Sequence, residues 1–380
     1  MRDARRQAPI LALAALTLAV MALRPAVGTR AEGDNRVVLP GLAADSAASA
    51  TRTYRMGWFA VGPQPTAEAI VATIEAMSQA GDAVLIQREV PWDRLLAGQS
   101  MEMAFQQEYD EIIAFVRARG LRLSILVDPL NGLDRTQEGP LIAAARRSLM
   151  EPAMLAMHET WVTLLAERYK PDYLGLASEI NTLAELGSLP LYEQIRGMVN
   201  RLAPEIRRRS PATKVFVSVQ VDEAWGRIPL QPVRPIDHFA LGKQFDIDVL
   251  GLSSYPSFVF ADPAEIPADY YRRFREATGK PLIQVEGGWA SAGQSADGRF
   301  TPEKQTAYVR KLFELLDSVE AELLILLTYA DLDLSHPSWG PGIDVGPGLG
   351  AFASMGLADT ALRPKASLSV WLERFQKSPK

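Results

Sequence analysis

The chain reads as an α/β protein, a (β/α)8 TIM barrel over residues 53–380. Three observations predict this. Eight short apolar runs rich in β-branched residues alternate with longer amphipathic stretches. The apolar runs are nearly continuous rather than alternating, as strands of a parallel sheet covered on both faces must be. No Gly-rich phosphate turn follows the first run, because Gly57 and Gly62 lack the spacing of a dinucleotide fingerprint. That argues against a doubly wound open sheet.

The strands are expected at Tyr54–Ala60, Ala83–Gln87, Arg122–Val127, Tyr173–Ala177, Lys214–Gln220, Val249–Ser253, Pro281–Glu286 and Leu323–Thr328. Helical spacing of apolar residues predicts helices over Thr66–Gln79, Glu102–Arg119, Pro152–Tyr169, Leu191–Arg208 and Pro302–Val319, with a helix expected after every strand. Gly and Pro mark the joins, as in Arg119-Gly120 and Gly279-Lys280-Pro281. A length of 380 residues, 48% of them hydrophobic, suffices for a barrel core, and barrels run long as one domain.

Ahead of the barrel, Arg2, Arg5 and Arg6 precede an apolar stretch from Ile10 to Leu23, and small residues follow at Ala26, Gly28 and Ala31. Residues 1–31 therefore read as a signal peptide or an uncleaved N-terminal anchor, and 32–52, rich in Ala, Ser, Gly and Asp, as a flexible linker. Export to a periplasmic or secreted location is expected, with no other membrane contact. The absence of cysteine excludes disulfides, thiol catalysis and Cys-ligated zinc. A net charge of -5 gives no basic face for nucleic acid. His158, His238 and His336 are scattered, so neither a metal nor another cofactor is expected. No Gly-x-Ser-x-Gly elbow of an esterase is present. A monomer is expected.

Barrel chemistry sits on the loops after the C-terminal strand ends. Those positions hold Trp58, Arg88, Asp128, Ser178, Glu179, Asn181, Tyr255, Glu286, Trp289 and Tyr329, with Trp339 beyond the last strand. Five of the seven tryptophans fall in such loops, a pattern suited to stacking on sugar rings in a polysaccharide or oligosaccharide cleft. Glu179 and Glu286 each end an apolar strand, where a carboxylate is costly unless used or paired. Such a pair can protonate a glycosidic oxygen and attack the anomeric carbon, at a separation of roughly 5–5.5 Å in retaining enzymes.

At three segments, LASEIN (Leu176–Asn181), DVLGLSSYPS (Asp248–Ser257) and LIQVEGGW (Leu282–Trp289), the sequence resembles the clan A glycoside hydrolases, and most of all the endo-β-1,4-galactanase family. The resemblance implies a retaining hydrolase of β-glycosidic bonds with Glu179 as acid/base and Glu286 as nucleophile. It further implies Tyr255 hydrogen-bonding the nucleophile, Arg88 orienting it and Tyr329 flooring the subsite of the reacting sugar. Such enzymes carry Asn immediately before the acid/base, facing the sugar 2-hydroxyl. This chain has Ser178 there, with Asn181 as an alternative donor. That departure motivates a second reading, a catalytically inactive carbohydrate-binding barrel in polysaccharide export or assembly. A non-sugar hydrolase or lyase on the same barrel is a third.

Overall fold

The computed structural model describes residues 51–228, 234–337 and 347–379, with side chains of the last stretch described from residue 350. The expected signal or anchor, nearly all of the expected linker, and Trp339 lie outside the described residues.

Eight parallel strands close a barrel: β1 (Arg55–Phe59), β2 (Ala83–Arg88), β3 (Arg122–Val127), β4 (Tyr173–Gly175), β5 (Lys214–Gln220), β6 (Val249–Ser254), β7 (Leu282–Gly287) and β8 (Leu323–Leu326). Each pairs with the next and β8 returns to β1, so the fold is a (β/α)8 TIM barrel. Its outer ring includes α1 (Ala67–Ala80), α2 (Met101–Ala118), α3 (Pro152–Tyr169), α4 (Leu189–Arg209), α5 (Arg272–Thr278), α6 (Pro302–Asp317) and α7 (Ala366–Phe375). Thr66 and Thr301 cap α1 and α6 by accepting from Ala69 N and Lys304 N, each satisfying an otherwise orphaned amide. Within α2 one wider π turn at Gln106–Asp110 accommodates an extra residue.

The expected helix after β5 is largely missing. Only the short helix Val221–Ala224 and a 3-10 turn at Leu241–Gln244 occur among the described residues before β6. Among the described residues Pro235 contributes to this, since it lacks an amide donor and obstructs a helix interior. The linker boundary also moves. Thr51 and Arg52 form a parallel bridge to Ser378 and Pro379, joining the described chain's two ends. Arg52 is 2% exposed; its Nε donates to Lys377 O at 3.0 Å and its Nη2 to Asp82 Oδ2 at 2.8 Å. A buried guanidinium needs these partners, so Thr51 and Arg52 belong with the barrel.

Two apolar layers follow from the period-two alternation of strands. Phe59, Leu85, Leu126, Phe216, Ile283 and Leu323 fill the barrel, while Met56, Trp58, Val84 and Ile86 face the helices. The two layers meet at Gly57, where any Cβ would fall 1.8 Å from Ala83 O, so only glycine permits this approach of β1 to β2. Trp58, expected in the cleft, is instead fully buried between Trp371 of α7, at 4.5 Å, and Tyr329, at 5.0 Å. It sits on an outward position of β1, so its ring belongs to the strand–helix core.

Trp58→Ala is therefore expected to cost about 3–5 kcal/mol of stability, read from a denaturant titration. A cleft residue would instead lose ligand binding with stability intact.

Candidate active site

Five strand ends, those of β3 to β7, build the site. β4 leads into Glu179, which adopts the left-handed conformation (φ 46°, ψ 45°) and starts the short helix Ile180–Leu186. A non-glycine residue held there carries about 1–3 kcal/mol of strain, which the surroundings must hold in place. They do so through the backbone: Glu179 N donates to Ser218 Oγ of β5 at 3.0 Å. The side chain is pinned as well. Ser253 Oγ of β6 donates to Glu179 Oε1 at 2.7 Å, and Arg135 Nε donates to Oε2 at 2.9 Å.

Glu286 reaches the same space by a slip in register. Leu252 opposes Gln284 but Ser253 opposes Glu286, so Val285 is an extra residue on β7. Val285 joins the barrel interior, and a strict alternation would then turn Glu286 outward. The bulge re-aims it, as bulges beside functional sites do. Tyr255 Oη donates to Glu286 Oε1 at 2.6 Å. Asp222 fixes that tyrosine's backbone, accepting from Tyr255 N at 2.7 Å and from Tyr270 Oη at 2.5 Å.

Arg135, in the loop after β3, is the cation of the site. Besides Glu179 it donates through Nη1 to Asp128 Oδ2 at 2.6 Å, an oxygen that also accepts from Gln87 Nε2 at 3.1 Å. Burial opposes the Arg135 charge, and the charges of Asp128, Glu179 and Glu286 more than offset it, so it remains a guanidinium. Burial pushes Glu286 up to about 8, helped by the charge of Glu179 and opposed by Arg135 and the Tyr255 hydroxyl. Glu89, after β2, is likewise pushed up to about 8, mainly by burial. Burial also raises Asp128, against Arg135.

Of the residues singled out in the sequence, the structure brings Glu179, Glu286 and Tyr255 together. Ser178 and Asn181 stand behind Glu179 and have no exposed surface. Ser178 Oγ lies 3.1 Å from Ser218 Oγ, so its hydroxyl is spent inside the wall. Asn181 accepts from Gln220 N at 2.8 Å and donates to Gln220 O at 3.1 Å, locking the end of β5. Both side chains bond to β5. Arg88 is a register correction: the inward position is Gln87, and Arg88 turns outward to Glu108 of α2, 3.7 Å away.

The stacking expectation is corrected too. Trp289 packs on Tyr308 of α6 and donates from Nε1 to Arg299 O at 2.9 Å. Tyr329 sits edge-on to Trp58, and burial pushes its hydroxyl up to about 12. Trp92 packs against His158 and Trp225 against Tyr270. These aromatics bind the loops to the barrel.

Sequence reasoning missed Arg135 and Ser253. Arg135 had a faint signal, being the one basic residue between Pro129 and Pro140, in a loop beside carboxylates that need a counter-charge. His238 also proves less isolated than expected. Glu185, Glu223 and His238 bring potential ligand atoms within 4.8 Å of one another. Asn181 Nδ2, 3.2 Å from His238 Nδ1, can only donate, which leaves the hydrogen of a neutral ring on Nε2, facing Glu185 Oε1 at 3.5 Å. The three side chains thus face one another beside Asn181.

No family model and no curated protein matches this chain. Solved structures do. A GH5_18 variant from Streptomyces cattleya, in complex with Manβ1-4GlcNAc, superposes with a TM-score of 0.61 at 16% identity, covering 86% of this chain and 83% of that one. The exo-β-1,4-mannosidase Op5Man5 from Opitutaceae bacterium strain TAV5 gives 0.62 at 15% identity, covering 85% of this chain and 59% of that one. The apo β-glucosidase 1317 gives 0.56 at 14% identity, covering 82% and 88%. At these identities the likeness establishes the barrel fold, which this chain shares with GH5 and other glycosidases.

The raised Glu286 carboxyl has a consequence for stability. The unfolded chain loses this proton near the ordinary carboxylate value of 4.5, the folded one near 8, so folding weakens as pH rises through that window. Glu286→Gln removes the effect. Its melting temperature is expected to fall less than the wild-type value between pH 5 and pH 8, as measured by calorimetry.

Proposed function

We propose that the protein is a retaining glycoside hydrolase that cleaves β-glycosidic bonds of an envelope or extracellular polysaccharide by double displacement. One observation carries this: Glu179 and Glu286, from opposite walls of the barrel, meet around Arg135, Ser253 and Tyr255, with Glu286 held by a tyrosine hydroxyl. The glycosidase structures that share the fold support the class.

In this reading Glu286 attacks the anomeric carbon while Glu179 gives its proton to the departing oxygen. A glycosyl–Glu286 ester forms, and Glu179 then takes a proton from the water that hydrolyses it. The first step needs one proton on the pair, and the second returns it from water. That proton is retained up to about pH 8 and is then lost, so kcat/KM falls above that pH. The likeness of Gly251–Pro256 to a galactanase segment makes β-1,4-galactan a first substrate to try beside β-mannan and β-glucan. The N-terminal residues 1–31 fit export to the periplasm or beyond.

The test is a polysaccharide panel with product analysis on wild type, Glu179→Gln and Glu286→Gln. Each variant is expected to lose about 10³-fold or more of turnover. A 2-fluoro-glycoside should add one glycosyl mass to Glu286 in the intact protein. Wild-type-like turnover by Glu286→Gln would end the proposal. Binding of oligosaccharide with neither turnover nor labelling would favour the inactive binding barrel, the reading that the sealed Ser178 hydroxyl supports.

A further inference from the structure

The carboxylate pair shares its surroundings with few cations. Facing it among the described residues are Asp128 from β3, Arg135 from the loop that follows, Glu223 after β5, and Ser253 and Tyr255 at the end of β6. Glu89, after β2, acts on the group through Asp128. The internal segments outside the described residues, 229–233 and 338–346, contain no Lys or Arg. Arg135 is therefore the charge that offsets this group of acids, and its side chain is 3% exposed.

Its placement is asymmetric. The guanidinium bonds Glu179 directly at 2.9 Å and is anchored on its far side by Asp128 at 2.6 Å, whereas Glu286 receives its hydrogen bond from the neutral Tyr255 hydroxyl at 2.6 Å. We propose that Arg135, locked in place by Asp128, is the positioning residue that decides where and at what pH the Glu179–Glu286 pair holds its proton. By pairing with Glu179 it favours charge on that carboxylate and leaves the proton to Glu286. Donation to a leaving group then requires the proton to pass to Glu179, and a substrate oxygen displacing the Arg135 contact would drive that transfer.

The inference builds on the hydrolase reading, but its test does not need turnover. Arg135→Gln keeps hydrogen-bond donors and removes the charge; Arg135→Lys keeps the charge. With 13Cδ-labelled glutamate, the Glu286 signal is assigned by its loss in Glu286→Gln and followed by NMR across pH. Removing an adjacent cation should raise the pH at which the pair gives up its proton by about one unit in Arg135→Gln, with Arg135→Lys staying near wild type. In an enzyme that turns over, the whole kcat/KM profile moves up in pH by the same amount, whereas a purely structural role lowers the rate and leaves the profile in place.

An unmoved Glu286 midpoint in folded Arg135→Gln, judged by circular dichroism, overturns the proposal. If that variant does not fold, Asp128→Asn serves in its place. It removes an anion that opposes Glu286 ionisation and leaves Arg135 to the pair alone, so the midpoint should move down. No movement there counts equally against it. Absence of any glycan hydrolysis by wild type would sink the hydrolase reading while leaving this titration interpretable.

Discussion

A guanidinium buried among carboxylates is the constraint on which the rest of the site depends. Arg135 bridges β3 and β4 by holding Asp128 and Glu179 at once. Without it, several acids would share one water-poor space and could coexist only by taking up protons. The neighbouring hydrogen bonds make sense on that basis. Gln87 steadies Asp128, Ser253 takes the second oxygen of Glu179, and Ser218 holds the Glu179 backbone in its left-handed turn. Gln87 and Ser253 donate and Ser218 accepts, each from a different strand, so the arrangement is only as rigid as the barrel is closed.

The fold was legible because it rests on patterns that survive without contacts. Near-continuous apolar runs with helical stretches between them carry a parallel sheet, and every strand fell within a few residues of its expected place. The exception, after β5, shows the limit. The element order asked for a helix, and the described residues there hold only two short turns, with Pro235 between them.

The site was legible in part. Glu179, Glu286 and Tyr255 were visible because each ends a strand and the position of strand ends is a property of the fold. The tryptophans misled because loop position says nothing about which way a ring turns. Trp58 and Trp289 pack on helices, and Tyr329 sits edge-on to Trp58. Arg88 failed by one residue of alternation, and Glu286 would have failed likewise had β7 lacked its bulge, which no residue type announces. Arg135 reaches inward from a loop without periodicity, so only the need for a counter-charge pointed to it.

The bridge between Thr51–Arg52 and Ser378–Pro379 bears on how the molecule can be presented. Arg52 is tied to Asp82, which immediately precedes β2, so the chain enters at the N-terminal rim of the barrel, opposite the rim that carries Glu179 and Glu286. Anything fused ahead of Thr51 is therefore joined to the protein at the floor of the barrel, on the side away from the carboxylate pair.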